Sequence, residues 1–455
     1  MGTEREIIER MRAAAPPGQE SLGPAAVRQL QDLTRQLITA KGGAGDEYAR
    51  FQAITQRTLC LPGSLLTGWL RDATVLVTGG TGCIGSTLMT QLAQVPPRRL
   101  VSVSRGLTTG PSRLPGAEYL DGDVRDRERI DELIQAVRPD VVFHVAAQRN
   151  PGLAELEVHR TVTTNVLGTR NVLAAAADAG VSQVVCASTG KALRPYSPDV
   201  YAASKRAAEW IASVSATGEM RCSAGRFTHV VDNSIILHRL YEWARGGVVR
   251  LHSTEIAFYI QSAMESAQLL LIAGLGAVPG EFRIHSITDL GWPVNLLDLA
   301  VGVLADTGSA SPIYISGYDR GYEEISFPGL YDPFTAGDVS PLMNSFETAR
   351  ANEAPCHMVD AFPLEMRADP IPGKLLAELE DTCAMTEDAD AIRGALDDLS
   401  WSLLDVTLQA APAQALARSA AIAGPHSGGL SPEHQRLLAA IRREAGAGGR
   451  RDLAR

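Results

Sequence analysis

The stretch "CASTGKALRPYSPDVYAASK", residues 186–205, holds a Ser-Thr pair, a lysine, and then a tyrosine four residues before a second lysine. At that spacing Tyr201 and Lys205 share one face of a helix. A neighbouring ammonium stabilises phenolate and lowers a tyrosine pKa from its free value of about 10. A tyrosine tuned in this way takes a proton from an alcohol while hydride leaves for a nicotinamide. Thr189, at the end of the preceding apolar run, is placed to hydrogen-bond the same oxygen. A bare Tyr-x-x-x-Lys arises by chance in many chains. Behind a glycine-rich loop, and after a strand ending in Ser-Thr, it is a specific signal. Thr189, Lys191, Tyr201 and Lys205 are the candidate catalytic set.

The glycine-rich loop is "VLVTGGTGCIGSTL", with Gly79, Gly82 and Gly85 three apart. Glycines allow a tight turn and let backbone N–H groups approach a pyrophosphate, and the helix that follows presents its positive dipole end. The candidate cofactor contacts here are Gly79, Thr81, Gly82, Cys83, Ile84 and Gly85. Dinucleotide sites for NAD usually carry a carboxylate at the end of the second strand. This chain has Ser104 and Arg105 there, a pair suited to a 2′-phosphate. NADP is therefore preferred; the alternative is a surface arginine with NAD bound. Asp123 and Val124 in "DGDVRD" offer a seat for the adenine. Ala146 and Ala147, Asn165 in "TNVLGT", and Tyr201 and Lys205 themselves complete the candidate cofactor set. For Asn165 a structural role and an active-site role both remain open.

These residues need a scaffold, and the texture of the chain supplies one. From Ala73 onward, short β-branched runs ("TVLVTG", "RLVSVS", "AEYLDGD", "DVVFHVAA", "SQVVCAS") alternate with helical stretches such as "DRERIDELIQAV". This pattern predicts an α/β fold, a Rossmann-type doubly wound parallel sheet. Residues 1–70 read as a helical extension, with Val27, Leu30, Leu33, Leu37 and Ile38 at helical spacing, suited to packing or dimerisation. Residues 71–330 form the main domain, with a smaller substrate lobe mainly over 226–330. Residues 331–455 are irregular and then helical. "AIAGPHSGG" reads as a flexible joint and "AGAGGRRDLAR" as a disordered tail.

Composition narrows the function classes. The 455 residues carry a formal net charge of −10 and no long Lys/Arg run, which argues against nucleic acid as a partner. No apolar run approaches the length of a bilayer span, and the charged N-terminus has no secretory h-region. The six cysteines are scattered without Cys-x-x-Cys, so neither a zinc site nor a disulfide framework is indicated, and no metal is expected. A reduced, cytoplasmic enzyme with a small-molecule substrate fits best.

The ordered motifs resemble the extended short-chain dehydrogenase/reductase superfamily. Within it, "DGDVRDRERIDELIQAVRPDVVFHVAA", "STGKALRP" and "PVNLLDLA" are similar to the polysaccharide-biosynthesis branch, the UDP-N-acetylglucosamine 4,6-dehydratases and their inverting relatives. The similarity covers about residues 70–325. It implies tightly held NADP, a nucleotide sugar in the smaller lobe, transient oxidation at the sugar C4, loss of water and return of the hydride. Thr189, Lys191, Tyr201 and Lys205 match the catalytic set, and Gln148, Arg226, His229, Phe258 and Arg320 are the candidate substrate-binding residues. A homo-oligomer is implied by analogy. The chain also departs from the family. It writes Ser188-Thr189-Gly190-Lys191 where the family writes Ser-Thr-Asp-Lys, so an acid/base group for eliminating water is missing. Phe258 replaces a family arginine expected to meet phosphates, His229 replaces an asparagine, and Arg320 is what remains of a phosphate motif. Dehydration, epimerisation and net redox stay open as fates of the ketone. Two alternatives stand beside this reading: a reductase or dehydrogenase of a non-nucleotide substrate in specialised metabolism, and a non-catalytic cofactor-binding homologue.

Overall fold

Seven β-branched or apolar segments of four to seven residues form a parallel sheet in the computed structural model. The model describes residues 3–43, 45–106, 113–216, 218–233, 235–317, 327, 330, 340–347, 352–364, 366 and 369–452. The strands are β1 (Thr74–Thr78), β2 (Arg99–Ser104), β3 (Glu118–Asp121), β4 (Val141–His144), β5 (Gln183–Thr189), β6 (Arg221–Phe227) and β7 (Phe282–Ile287). Two later strands, β8 (Asn352–Glu353) and β9 (Val359–Pro363), join antiparallel beyond β7. The order across the sheet is β8-β9-β7-β6-β5-β4-β1-β2-β3. The order therefore reverses at β1 and β4, the crevice where open α/β sheets bind ligands at their strand C-termini. Both faces are covered, and strands such as β1 are buried along their whole length, as parallel strands between helix layers must be.

The chain divides into two compact units. The larger holds residues 59–227, 264–289 and 325–455, including the whole nine-stranded sheet. Its core joins Val101, Val142, Val184 and Ile284 of the sheet to Leu379, Leu396 and Leu403 of the helices Pro370–Met385 and Ala389–Ala410. The C-terminal helices thus contribute to the core of the sheet domain. The segment "AIAGPHSGG", expected as a flexible joint, contains a 3-10 helix at Gly424–Gly429. The helix after it runs to Asp452, so most of the expected disordered tail continues that helix.

The smaller unit holds residues 1–58, 228–263 and 290–324. Its core is built from Ile7, Met11, Leu30, Leu33 and Leu37 of the N-terminal helices together with Val249, Leu297, Val301, Ile313 and Tyr314. The predicted helical stripe is real: the helix Pro24–Ala40 buries Leu30, Leu33 and Leu37. Lys41 bonds Glu4 and Asp298, tying two N-terminal segments to the helix Leu296–Asp306. No helix among the described residues is long and apolar enough to cross a membrane.

Candidate active site

β5 ends at Thr189, and the backbone turns at once into a short 3-10 helix, Gly190–Leu193. Thr189 caps that turn, its Oγ1 accepting the Lys191 N–H at 3.4 Å. The next helix, Val200–Ser215, starts at Asp199, whose Oδ1 accepts the Ala202 N–H at 2.8 Å. This is the usual N-cap, because a short carboxylate satisfies a donor that has no intrahelical partner. Two residues beyond that cap is Tyr201, whose ionisation Thr189 eases from the end of β5. Lys191 Nζ donates to Asp199 Oδ2 at 3.0 Å. Thr189, Lys191, Asp199 and Tyr201 are thus one connected cluster.

Lys205 is on the same helix face, as its spacing predicts, but it does not act on Tyr201 as expected. Its ammonium donates to the Ala187 carbonyl at 2.7 Å. Burial lowers the Lys205 pKa, against the opposing influence of Cys186 and Glu209. Burial likewise pushes the Tyr201 phenol up to about 12; Thr189 and Arg149 ease its ionisation and Asp199 opposes it. The expected lowering by Lys205 is therefore replaced by a rise, because desolvation outweighs the neighbouring charges.

The cofactor loop is a cradle that side chains would fill. Gly79 has φ +74°, and a Cβ there would stand 2.8 Å from the Ala146 nitrogen. A Cβ on Gly85 would stand 2.1 Å from the Gly79 carbonyl oxygen. Gly82 is the N-cap of the helix Cys83–Gln94, and no side chain caps it. That leaves the first turn, with Cys83, Ile84 and Gly85, presented without a capping group, and Ala146 and Ala147 lie along the neighbouring strand end. These residues fit a dinucleotide pyrophosphate.

At the end of β2 the two predicted residues differ. Ser104 is buried, and its Oγ accepts the Thr81 N–H at 3.4 Å, so its acceptor capacity goes to the loop. Arg105 is half-exposed and lies 3.8 Å from Asp123. Asp123 is held by Arg125 at 2.6 Å, and although burial opposes its ionisation, Arg125 and Arg105 keep its pKa below the usual range. Val124 is buried and its carbonyl accepts from Asn171 at 3.0 Å.

Asn165 has a structural task in this fold. It sits in a π-helical turn, Thr163–Leu167. Its Nδ2 donates to the Gln148 carbonyl at 3.0 Å and to Ser204 at 3.1 Å, and its Oδ1 accepts the Gln148 N–H at 2.8 Å. Asn165 thereby fixes the segment carrying Ala146, Ala147 and Gln148. The Gln148 side chain donates to Glu157 at 3.3 Å.

Arg226, expected at the substrate, lies in the interior instead. It is fully buried, and its guanidinium is bonded to Glu209 at 2.8 Å, to Glu347 at 2.7 Å and to the Leu342 carbonyl at 3.1 Å. Burial disfavours these charges, but the partners outweigh it: the Arg226 pKa is raised and that of Glu209 lowered. Ser188 Oγ donates to Glu209 at 2.6 Å, so this buried ion network braces β5 one residue before Thr189. The same network pins residues 340–347 beside the catalytic turn. A Cβ on Gly190 would stand 2.7 Å from Leu342 Cδ2. The space beside the residue where the resemblance expects a carboxylate is occupied by a leucine from the C-terminal extension.

In the smaller unit, His229 and Phe258 come together with ring centroids 5.0 Å apart. Burial pushes the His229 imidazole down to about 4, so it is neutral at physiological pH. Arg320 lies outside the described residues. Among those residues, no cluster of three or more His, Cys, Asp or Glu side chains is arranged to hold a metal ion.

The parallel sheet, glycine turn and Ser-Thr/Tyr-x-x-x-Lys constellation define an extended short-chain dehydrogenase/reductase. Residues 75–325 match the model of the polysaccharide biosynthesis protein family, and the chain belongs to that family. It is 30% identical over 283 residues to the capsular polysaccharide biosynthesis protein CapD of Staphylococcus aureus, a match covering 58% of this chain and 46% of that protein. It is 31% identical over 167 residues to the inverting UDP-N-acetylglucosamine 4,6-dehydratase of Campylobacter jejuni, covering 34% of this chain and 49% of the relative. The chain therefore spans about half the length of these curated relatives. The X-ray structure of Pen from Bacillus thuringiensis shares the fold, with a TM-score of 0.54 at 23% identity over 65% of this chain and 88% of that one.

Three participants carried no prior expectation. Asp199 was signalled only as an acidic residue just before a helix. Leu342 and Glu347 lie more than a hundred residues from the motif they touch, and no local pattern points to them.

Proposed function

We propose that this chain is an NADP-dependent oxidoreductase of the dehydratase and epimerase type that acts on a nucleotide-linked sugar by oxidation at C4. The observation that carries the reading is the cluster of Thr189, Lys191, Asp199 and Tyr201 at the end of β5, in the same unit as the glycine cradle. A bound nicotinamide supplies the hydride acceptor. Thr189 and Tyr201 hold the sugar hydroxyl, and Tyr201, in the phenolate form that Arg149 favours, takes its proton as the alcohol becomes a ketone. Gly79, Gly82 and Gly85 seat the pyrophosphate; Arg105 supports NADP as a cation beside the position of a 2′-phosphate. The sugar-nucleotide activity for which the Campylobacter jejuni relative is named supports the substrate class.

The fate of the ketone turns on Gly190. With no carboxylate there, and with Leu342 in the adjoining space, elimination of water lacks a proton carrier of a kind that contributes about 10²–10⁴-fold. Epimerisation or net redox is favoured over dehydration. The contact of neutral His229 with Phe258 supports a second reading, a less highly charged substrate than a nucleoside diphosphate sugar.

The test pairs Tyr201→Phe with wild type on UDP-N-acetylglucosamine and related nucleotide sugars. Products are followed by mass spectrometry and cofactor reduction by absorbance. Wild type is expected to give an epimer or an oxidised sugar with no loss of water, and Tyr201→Phe to bind NADP normally without turnover. A product lighter by one water refutes the reading of Gly190. Unchanged activity in Tyr201→Phe refutes the proton-transfer assignment.

A further inference from the structure

Asp199 is a carboxylate at the mouth of the site that neither the motif nor the family resemblance assigns. It has two separable tasks. Oδ1 caps the helix through the Ala202 N–H at 2.8 Å, while Oδ2 takes Lys191 Nζ at 3.0 Å. Its own position is over-determined. The Asp199 N–H donates to Ser197 Oγ at 3.2 Å, and the next N–H, of Val200, donates to Glu155 Oε1 at 2.8 Å. Glu155 is in turn bonded to Arg393 of the helix Ala389–Ala410. The Asp199 side chain is 9% exposed and that of Lys191 35%. A nearly buried carboxylate on a rigid cap therefore meets a long, flexible cation that reaches toward solvent. A lysine left to itself samples many rotamers, and one held by a charge-assisted bond to a fixed partner does not.

We infer that Asp199 is a positioning residue for the reaction: its carboxylate clamps the Lys191 ammonium beside the Thr189–Tyr201 pair, where a substrate oxygen must sit. The inference rests on the reading of this site as an alcohol-oxidising centre. Lys191 can then donate a hydrogen bond to the sugar while Tyr201 moves the proton, although position 190 carries no carboxylate. The same negative charge bears on Tyr201, whose ionisation it opposes. Among the described residues, the other charged groups around this cluster are Arg149 after β4, Glu155 with its partner Arg393 beside Val200, Arg194 after the 3-10 turn, Lys191 within it, and Lys205 on the helix of Tyr201. Asp199 is the anion among those that act on the phenol.

The test is Asp199→Asn in the full chain loaded with NADP. Asparagine caps a helix about as well as aspartate, so the fold is retained while the charge is lost. The first readout needs no turnover. Acetylation of Lys191 by acetic anhydride is mapped by mass spectrometry against Lys374, an exposed lysine, as internal reference. Loss of the clamp is expected to raise the Lys191/Lys374 labelling ratio about threefold or more. The second readout is the pH dependence of cofactor reduction with UDP-N-acetylglucosamine. Removing the carboxylate eases ionisation of Tyr201, so the limb on which activity rises with pH moves to lower pH. The plateau kcat falls about tenfold, with KM nearly unchanged. An unchanged labelling ratio overturns the inference whatever the substrate is. Increased labelling in an active enzyme whose pH limb and kcat stay put also overturns it, leaving Asp199 a helix cap alone. Increased labelling in a protein inert toward every sugar tested upholds the clamp and refutes the proposed activity instead.

Discussion

A chain of hydrogen bonds below the cofactor loop fixes the protonation of one buried histidine. Thr169 Oγ1 donates to the Asn165 carbonyl at 2.7 Å, so its oxygen is left to accept from His144 Nε2 at 3.0 Å. Thr78 Oγ1 accepts the Ala146 N–H at 3.4 Å and so donates to His144 Nδ1 at 2.8 Å. His144 is therefore the neutral Nε2–H tautomer, and protonating Nδ1 would leave two donors facing each other. Burial, aided by the charge of Lys205, pushes its pKa down to about 3. The unfolded chain binds this proton near pH 6.5. The contribution of His144 to stability is thus fully present above that pH and is lost as pH falls toward 3. Urea unfolding of wild type at pH 7 and at pH 5 is expected to show a loss of about 2 kcal/mol from this group. His144→Asn, less stable at pH 7, should lose about that much less over the same interval. Equal pH sensitivity in the two proteins would remove His144 from the account. The Tyr-x-x-x-Lys pair announces itself in the sequence, whereas the tautomer of His144 depends on two threonines 66 and 25 residues away.

Among the elements, β1, β2, β4 and β5 and the helices between them are legible from the sequence because buried parallel strands read as continuous apolar, β-branched-rich runs bounded by turn residues. The glycine turn is legible for the same reason that it is intolerant of change. A Cβ at Gly85 would meet the carbonyl oxygen of Gly79, a backbone atom that cannot step aside as a side chain does. Gly85→Ala is expected to weaken NADPH binding by more than tenfold in a fluorescence titration, since the turn and the helix must part. Gly373→Ala, in the helix Pro370–Met385 with open space around it, should leave the titration unchanged. Equal binding by the two variants would mean that the cradle is not the cofactor seat. What the sequence hides at this scale is irregular. The π turn at Thr163–Leu167 sits inside a helical pattern with ordinary composition. The plug of Leu342 over Gly190 joins segments with no shared periodicity. Arg226 looks like a ligand-binding arginine at a strand end until Glu209 and Glu347 are seen to enclose it. Such a buried pair is costly to break, since the remaining partner is left charged and unpaired.

At the scale of the molecule, the family match begins at residue 75, yet the smaller unit draws its core from residues before that point. The N-terminal helical stripe could be read from its spacing, but its partner could not, because residues 228–263 and 290–317 lie far along the chain, the Thr34–Ile313 contact spanning 279 positions. Their contact is intimate. A Cβ on Gly302 would stand 2.6 Å from Tyr48, and Thr34 Oγ1 accepts the Ile313 N–H at 2.9 Å. The segment that the resemblance assigns to substrate binding is thus not a self-sufficient layer in this chain. Removing one apolar side chain from the N-terminal helix should loosen residues far along the sequence and leave the nine-stranded sheet intact. Leu37 is fully buried in this core, and Leu37→Ala at such a site costs about 2–5 kcal/mol. In hydrogen exchange, the amides of residues 294–315 are expected to exchange faster in Leu37→Ala by a factor of at least ten, while those of β4 and β5 keep their protection. Arg35→Ala, at an exposed position of the same helix, should change neither. If Leu37→Ala speeds exchange in the sheet as much as in residues 294–315, the two units unfold together, and the N-terminal helices support the whole chain rather than the smaller unit alone.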